Sequence, residues 1–165
     1  MKRDGTEIKT DERLKKKNIT KIICIILQSL LLVWFFLDMT GMTIGGQCLV
    51  ARSYQDDGIF FLIYLAAFLL FLFWNRIGRW AVAGFSTLWF VTQFICHEWY
   101  TIFNDGFMGS LQGKIDYFAD TIHWITAEGR YIPDLYHTIL HVLILSVVIS
   151  TFIFIRTDGR RETEQ

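Results

Sequence analysis

All four histidines of the chain lie in its second half, at positions 97, 123, 137 and 141. The last two are four residues apart, so on a helix they project from one face. Glu98 follows His97 directly and adds a carboxylate. Imidazoles and carboxylates are ligands that zinc or non-haem iron takes, and imidazole also exchanges protons near neutral pH. The candidate site is the set His97, Glu98, His137 and His141.

Three uses of this set remain open at the level of sequence. It could bind a transition metal ion, or hold haem between His97 and either His137 or His141 as axial ligands. It could also pass protons for a transported solute. In a simpler interpretation each histidine only makes a hydrogen bond between helices. His123 lies in a polar segment, where solvation explains it.

Four long apolar stretches must position these residues. They cover residues 19–37, 58–74, 80–103 and 135–155, and each is close to the length that crosses a bilayer as a helix. The sequence is 53% hydrophobic, and its charges are concentrated at the ends and between the apolar stretches. We expect an all-α fold, a polytopic four-transmembrane-helix bundle over residues 19–155. A basic segment, 1–18, precedes it and a tail, 156–165, follows.

The distribution of basic residues predicts the orientation. Thirteen of the sixteen Lys and Arg residues lie in the N-terminal segment up to Lys21, in the turn at residues 75–79, or after residue 155. Because cytoplasmic loops of membrane proteins are enriched in Lys and Arg, both ends are predicted to be cytoplasmic. The protein is then a multi-pass protein of the cell membrane, and its acidic connecting segments face outward.

Opposite chain directions predict that the histidines meet. The third stretch runs outward and the fourth runs inward, so His97 and His141 lie at similar depths if the two helices are neighbours. Ser86, Gln93 and Thr101 extend the polar stripe of the third stretch. Such a stripe should face the interior of the bundle, because lipid cannot satisfy its hydrogen bonds.

The second outer loop contains a further helical pattern. Apolar residues recur there at positions 111, 115, 118, 122 and 125. This spacing predicts a short amphipathic helix in the outer membrane interface.

Three cysteines are present, of which Cys24 falls within the first apolar stretch and is expected to pack there. Cys48 and Cys96 both lie toward the outer side, so the sequence allows a disulfide between them. Four helices with outer cysteines resemble the quinone-linked thiol oxidoreductases of the disulfide-bond-forming and vitamin K epoxide reductase type. The CxxC pair of those enzymes is missing here, so the resemblance assigns no family.

Several function classes remain after this reading. The charge pattern gives no support to nucleic-acid binding. One class is a membrane enzyme or electron-transfer protein that uses a metal or haem, so enzyme activity stays open. The others are a non-catalytic interaction or sensing protein, and a small transporter or channel with proton-handling histidines. The expected partners are the lipid bilayer and either further copies of the chain or another membrane protein.

Overall fold

The structure is a computed structural model that describes residues 3–159 and the side chains of residues 11–158. Four long helical segments make up most of this part of the chain. The first two are α1 (Arg3–Thr40) and α2 (Tyr54–Phe73). The third begins as α3 (Asn75–Gln93), passes through a π-helical turn (Phe94–Glu98) and ends as α4 (Trp99–Phe103). The remaining helices are α5 (Leu111–Phe118) and α6 (Leu135–Gly159).

The four long segments form a bundle in which α1 packs against α2 and α6, and α3 packs against the same two helices. The third and last long helices are therefore neighbours. Their shared core consists of apolar side chains from all four segments, including Cys24, Leu31, Tyr64, Phe71, Val82, Ile144, Val147 and Phe154. Cys24 is buried within this core, as its position predicts.

The outer surface of the bundle is also apolar. Large exposed hydrophobic side chains include Ile22, Ile26, Val33, Ile63, Leu88, Val142 and Ile149. Among the described residues, three helical stretches are long and apolar enough to cross a membrane: Asp11–Thr40, Tyr54–Phe73 and Leu135–Asp158. The segment over residues 80–103 is helical, comprising most of α3, the π-helical turn and α4, but it is not among them. The structure is thus that of a helical membrane protein with three candidate spans.

The turn between α2 and α3 is tighter than the five-residue turn that the sequence predicts. Only Trp74 separates the two helices, and α3 already begins at Asn75. Gly78 permits this geometry, since a Cβ atom at this position would lie 2.1 Å from the backbone nitrogen of Phe71. The glycine therefore lets the backbones of α2 and α3 approach each other closely.

Basic side chains gather at the end of the bundle that contains this turn. Asp158 of α6 accepts a hydrogen bond from Arg79 at 2.5 Å and from the Asn75 amide at 3.4 Å. It also forms an ion pair with Lys17 of α1. Arg79 is only 5% exposed. The network joins α1, α3 and α6 at this end.

A short β-hairpin is present that the all-α expectation did not include. Strands β1 (Met42–Ile44) and β2 (Gln47–Val50) pair antiparallel, and the turn between them is Gly45–Gly46, with both residues at positive φ. Two glycines in sequence suit such a turn, because both central residues need positive φ. The carbonyl of Cys48 in β2 accepts a hydrogen bond from the backbone N–H of Ile122, which connects the hairpin to the long second loop.

The amphipathic helix expected in the second loop is present as α5, but it is short. It ends at Phe118, where the backbone N–H and the hydroxyl of Thr121 both donate to the Phe118 carbonyl. Its apolar residues Leu111, Ile115 and Phe118 pack against Tyr100 and Tyr131. The apolar face of α5 therefore contacts the protein itself. Residues 122 and 125 lie beyond the helix.

Residues 1, 2 and 160–165 belong to the predicted N-terminal segment and C-terminal tail and lie outside the described residues.

Candidate functional site

A π-helical turn at Phe94–Glu98 carries two residues of the candidate site, His97 and Glu98. Adjacent side chains on a regular α-helix point about 100° apart, so both would rarely meet the same neighbouring helix. A π-helical turn contains an extra residue, which changes the direction of the side chains within it. Here both His97 and Glu98 contact histidines of α6. Such single turns occur frequently at functional sites.

The structure brings three histidine rings together. The rings of His97 and His137 are stacked, with centroids 4.2 Å apart and an angle of 24° between their planes. The rings of His97 and His141 meet edge to face at 5.5 Å. His97 is 4% exposed and lies between the other two. We call His97, His137 and His141 the histidine cluster.

His137 is held by the residue at the start of its own helix. Its ring Nδ1 and its backbone N–H both lie 2.8 Å from Oδ1 of Asp134. Asp134 is 1% exposed, and its second oxygen, Oδ2, is buried without a hydrogen-bond partner. Burial alone would raise the pKa of Asp134, but the hydrogen bonds and charge of His137 hold this pKa below its usual value. Asp134 is therefore a charged partner for His137.

His141 has a carboxylate and an amide as partners. Its Nδ1 forms a short hydrogen bond with Oε1 of Glu98, and its Nε2 lies 3.3 Å from the side-chain oxygen of Gln93. Oε2 of Glu98 is buried without a partner. Gln93, expected as part of the polar stripe, thus reaches the histidine cluster.

His97 pairs with a tyrosine from the second loop that the sequence analysis did not select. Its Nδ1 lies 2.5 Å from the hydroxyl of Tyr131. Burial and the nearby carboxylates of Asp134 and Glu98 raise the pKa of Tyr131, so its hydroxyl keeps its proton at neutral pH. Lys114 covers this pair, with its Nζ 5.6 Å from the centroid of the Tyr131 ring. Burial lowers the pKa of Lys114.

Beside the histidine cluster lies a cavity of about 420 Å³. His137 and Asp134 form part of its wall, and Asp38 and Asp57 form another part. Neither aspartate is marked as a site residue by the sequence pattern. Asp38 is 7% exposed, and this burial became visible only in the structure.

The other predicted residues lie outside the histidine cluster. Ser86 is buried on α3, and its hydroxyl has no hydrogen-bond partner. The Thr101 hydroxyl donates to the carbonyl of His97. The ring of His123 contacts the Phe118 carbonyl at 2.9 Å, and His123 lines a separate pocket under α5. Cys48 and Cys96 are both free, so the disulfide that the sequence allows is not formed.

The geometry does not support a metal ion in the histidine cluster. Among the residues that the structure describes, no group of three or more His, Cys, Asp or Glu side chains could hold one. An imidazole lone pair lies in the ring plane, so the stacked rings of His97 and His137 cannot direct their nitrogens at one ion.

No protein-family model, curated protein or solved structure matches the chain. The chemistry of this site is therefore the basis for its function.

Proposed function

We propose that the chain is a multi-pass protein of the cell membrane that crosses the bilayer four times, with both ends in the cytoplasm. The fourth span would be the segment over residues 80–103. Two features support it: this segment lies within the bundle between two candidate spans, and the Lys17, Arg79 and Asp158 network marks one end as basic. The opposite end contains the histidine cluster and Asp134, and would face outward.

We further propose that the histidine cluster accepts, holds and releases protons as one unit. The observation that carries this proposal is a continuous series of contacts: Glu98, His141, His97, His137 and Asp134. A carboxylate stands at each end, and each has one buried oxygen without a partner. Carboxylates stabilise a positive charge on an adjacent imidazole, so a proton bound at one histidine affects the others.

The partners of the cluster suit both protonation states of imidazole. The Tyr131 hydroxyl can donate to His97 or accept from it. The Gln93 amide can present either its oxygen or its NH2 group to Nε2 of His141, since the two orientations have nearly the same shape. The cluster can therefore gain or lose a proton while His97 and His141 keep their hydrogen bonds to Tyr131 and Gln93. A histidine that served only as a fixed hydrogen-bonding residue would not need such partners.

The adjacent cavity favours a proton-coupled binding protein, such as a carrier, over an interaction scaffold. Asp134 and His137 belong to both the cluster and the cavity wall, so a ligand there would alter the proton affinity of the cluster. A carrier built from so small a bundle is expected to assemble from several copies.

The proposal is tested by following the histidine Cε1–Hε1 signals of the purified full chain by NMR across pH 5 to 8. Sites that interact strongly titrate in shared, broadened steps. We expect such curves for the cluster histidines that titrate in this range. His123, which lies outside the cluster, serves as the internal control. Independent single-step curves for the cluster histidines would reduce the cluster to separate hydrogen-bonding residues.

A second measurement distinguishes a carrier from a sensor. Proteoliposomes containing a pH-sensitive dye report proton movement across the bilayer under an imposed gradient. A carrier or channel predicts faster movement than in empty liposomes, and loss of the difference in the variant His97→Gln/His141→Gln. The control variant His123→Gln should retain it. Coupled histidine titration without any flux would instead assign the cluster to pH sensing.

A further inference from the structure

The 420 Å³ cavity lies where one end of each long helix meets the second loop. Its wall includes Phe35 and Asp38 of α1, Asp57 of α2, Trp89 of α3 and His137 of α6. Ligand pockets for small organic molecules have volumes of roughly 300–1,000 Å³. The cavity is therefore large enough for a small organic molecule.

Carboxyl groups dominate the charge of the cavity wall, and His137 is the one imidazole among its lining residues. Three carboxyl groups line it, from Asp38, Asp57 and Asp134, and none of its lining residues is a lysine or arginine. The carboxyl groups of Asp38 and Asp57 lie close together in this wall. Two carboxylates this close repel each other unless a proton is shared or a cation lies beside them.

Asp134 supplies an independent indication of a ligand. It is 1% exposed, and only its Oδ1 is engaged by His137. Its Oδ2 is buried and has no hydrogen-bond partner within the described chain. A buried polar atom without a partner is costly, so native structures usually provide one. A donor that occupied the cavity would supply the missing hydrogen bond.

Aromatic rings complete the cavity wall, from residues including Phe60, Trp89, Tyr117, Phe118 and Tyr136. Aromatic faces attract cations and also pack against apolar groups. A bare metal ion fits this wall poorly, because no group of three carboxylate, histidine or cysteine side chains among the described residues is placed to hold one. The combination of carboxylates and rings suits an ammonium group attached to an apolar body.

We propose that this cavity binds a small organic cation, with its ammonium group between the Asp38–Asp57 pair and Oδ2 of Asp134. The binding site goes beyond the proton-handling function and does not depend on it, since it requires only the carboxylates and the aromatic wall. An ammonium group donates hydrogen bonds to Asp134 and neutralises the paired aspartates. Its apolar body lies against the aromatic rings.

Isothermal titration calorimetry on the full chain in lipid nanodiscs at pH 7 tests this inference with three probes of one shape. The probes are benzylammonium, benzyl alcohol and benzoate. We expect benzylammonium to bind with saturation, and neither uncharged benzyl alcohol nor anionic benzoate to do so. Equal heats of binding for benzylammonium and benzyl alcohol would overturn the proposal, since recognition would then be purely apolar. Absence of benzylammonium binding to the wild type would overturn it as well.

Two substitutions test the carboxylates themselves. Asp57→Asn and Asp134→Asn keep the side-chain shape and should each weaken benzylammonium binding about tenfold or more. The matched control is Asp56→Asn, which removes an exposed acid next to Asp57 that does not line the cavity. Circular dichroism and gel filtration show whether each variant is folded. If Asp134→Asn does not fold, Asp57→Asn decides. Wild-type affinity in a folded Asp57→Asn variant would contradict the proposed site.

Discussion

Oδ1 of Asp134 lies 2.8 Å from both the backbone nitrogen and the ring Nδ1 of His137. The first contact satisfies a backbone N–H group in the first turn of α6, as a helix N-cap residue does. The second orients the imidazole, because the Nδ1 proton must point at the carboxylate. The Asp134 carboxylate therefore caps α6 and also fixes which ring nitrogen of His137 donates a hydrogen bond to it.

This relationship predicts how stability depends on pH. The folded-state pKa of Asp134 is lowered, so folding favours its charged form and the charge stabilises the protein above the unfolded-state pKa of about 4. We expect Asp134→Asn to lower the free energy of unfolding by about 1–2 kcal/mol at pH 7. Asparagine still caps the helix, so the loss reports the charge.

Chemical unfolding of both proteins in detergent micelles from pH 3 to 7 measures this difference. It should shrink as the pH falls through the folded-state pKa. The control Asp120→Asn, at an exposed acid of the same loop, should show almost no difference at any pH. A difference for Asp134→Asn that does not change with pH would mean that the carboxylate acts only as a cap.

The close contact of α2 and α3 predicts a strong effect of one methyl group. Gly78→Ala places a Cβ atom 2.1 Å from the backbone nitrogen of Phe71. Because the nitrogen is part of the backbone of α2, this clash is relieved only if one of the two helices moves. We expect the free energy of unfolding to fall by more than about 3 kcal/mol. Gly84→Ala on the same helix meets no atom within 4 Å and should change it by less than about 1 kcal/mol. Similar thermal midpoints for the two variants would refute the tight turn.

The network of Lys17, Arg79 and Asp158, at the same end of the bundle as this turn, should contribute to stability. Asp158→Asn removes the negative charge that pairs with Lys17 and with Arg79, which is 5% exposed. Breaking a buried ion pair is costly, so we expect a loss of about 2 kcal/mol in the free energy of unfolding. Glu128→Gln, at an exposed position of the second loop, is the control. Equal free energies of unfolding for the two variants would show that water replaces the contacts of Asp158 without loss of stability.

Orientation can be tested by labelling single cysteines from outside intact cells. In a background without Cys24, Cys48 and Cys96, we expect Met108→Cys to react with an impermeant thiol reagent and Arg76→Cys to remain unlabelled until the cells are opened. Both side chains are exposed in the structure. The reverse pattern would place the histidine cluster at the cytoplasmic face. Folding of the cysteine-free background also tests the expectation that no disulfide is required.

The helices and the approach of the histidines follow from local patterns. Apolar runs of about twenty residues indicate helices, and opposite chain directions bring residues 97 and 141 to one depth when α3 and α6 are neighbours. A connection of about thirty residues separates α3 from α6 in the chain. Whether the two helices are adjacent therefore depends on tertiary packing, which residue spacing does not encode. Only the structure shows that the two helices touch.

Other parts of the site depend on contacts distant in sequence. Tyr131 reaches His97 because the second loop folds over the end of the bundle, and no periodic pattern marks that path. The π-helical turn at Phe94–Glu98 is a small deviation from regular helix geometry that a hydrophobic pattern does not reveal. Asp38 follows an apolar run, and a charge at such a position usually marks the membrane boundary. Its burial depends on segments distant in sequence, since Asp57 of α2 and Tyr136 of α6 line the same cavity.

The measurement that tests the histidine cluster most directly is the NMR titration of His141 in single-site variants. His97 contacts the rings of both His137 and His141. Substitution of His97 or His137 should therefore alter the proton affinity of His141. We predict that His97→Gln and His137→Gln each move the titration midpoint of His141 by about half a pH unit or more. The control His123→Gln should leave it unchanged. An identical His141 midpoint in the wild type and in all three folded variants would contradict the account, because the histidines would then bind protons independently.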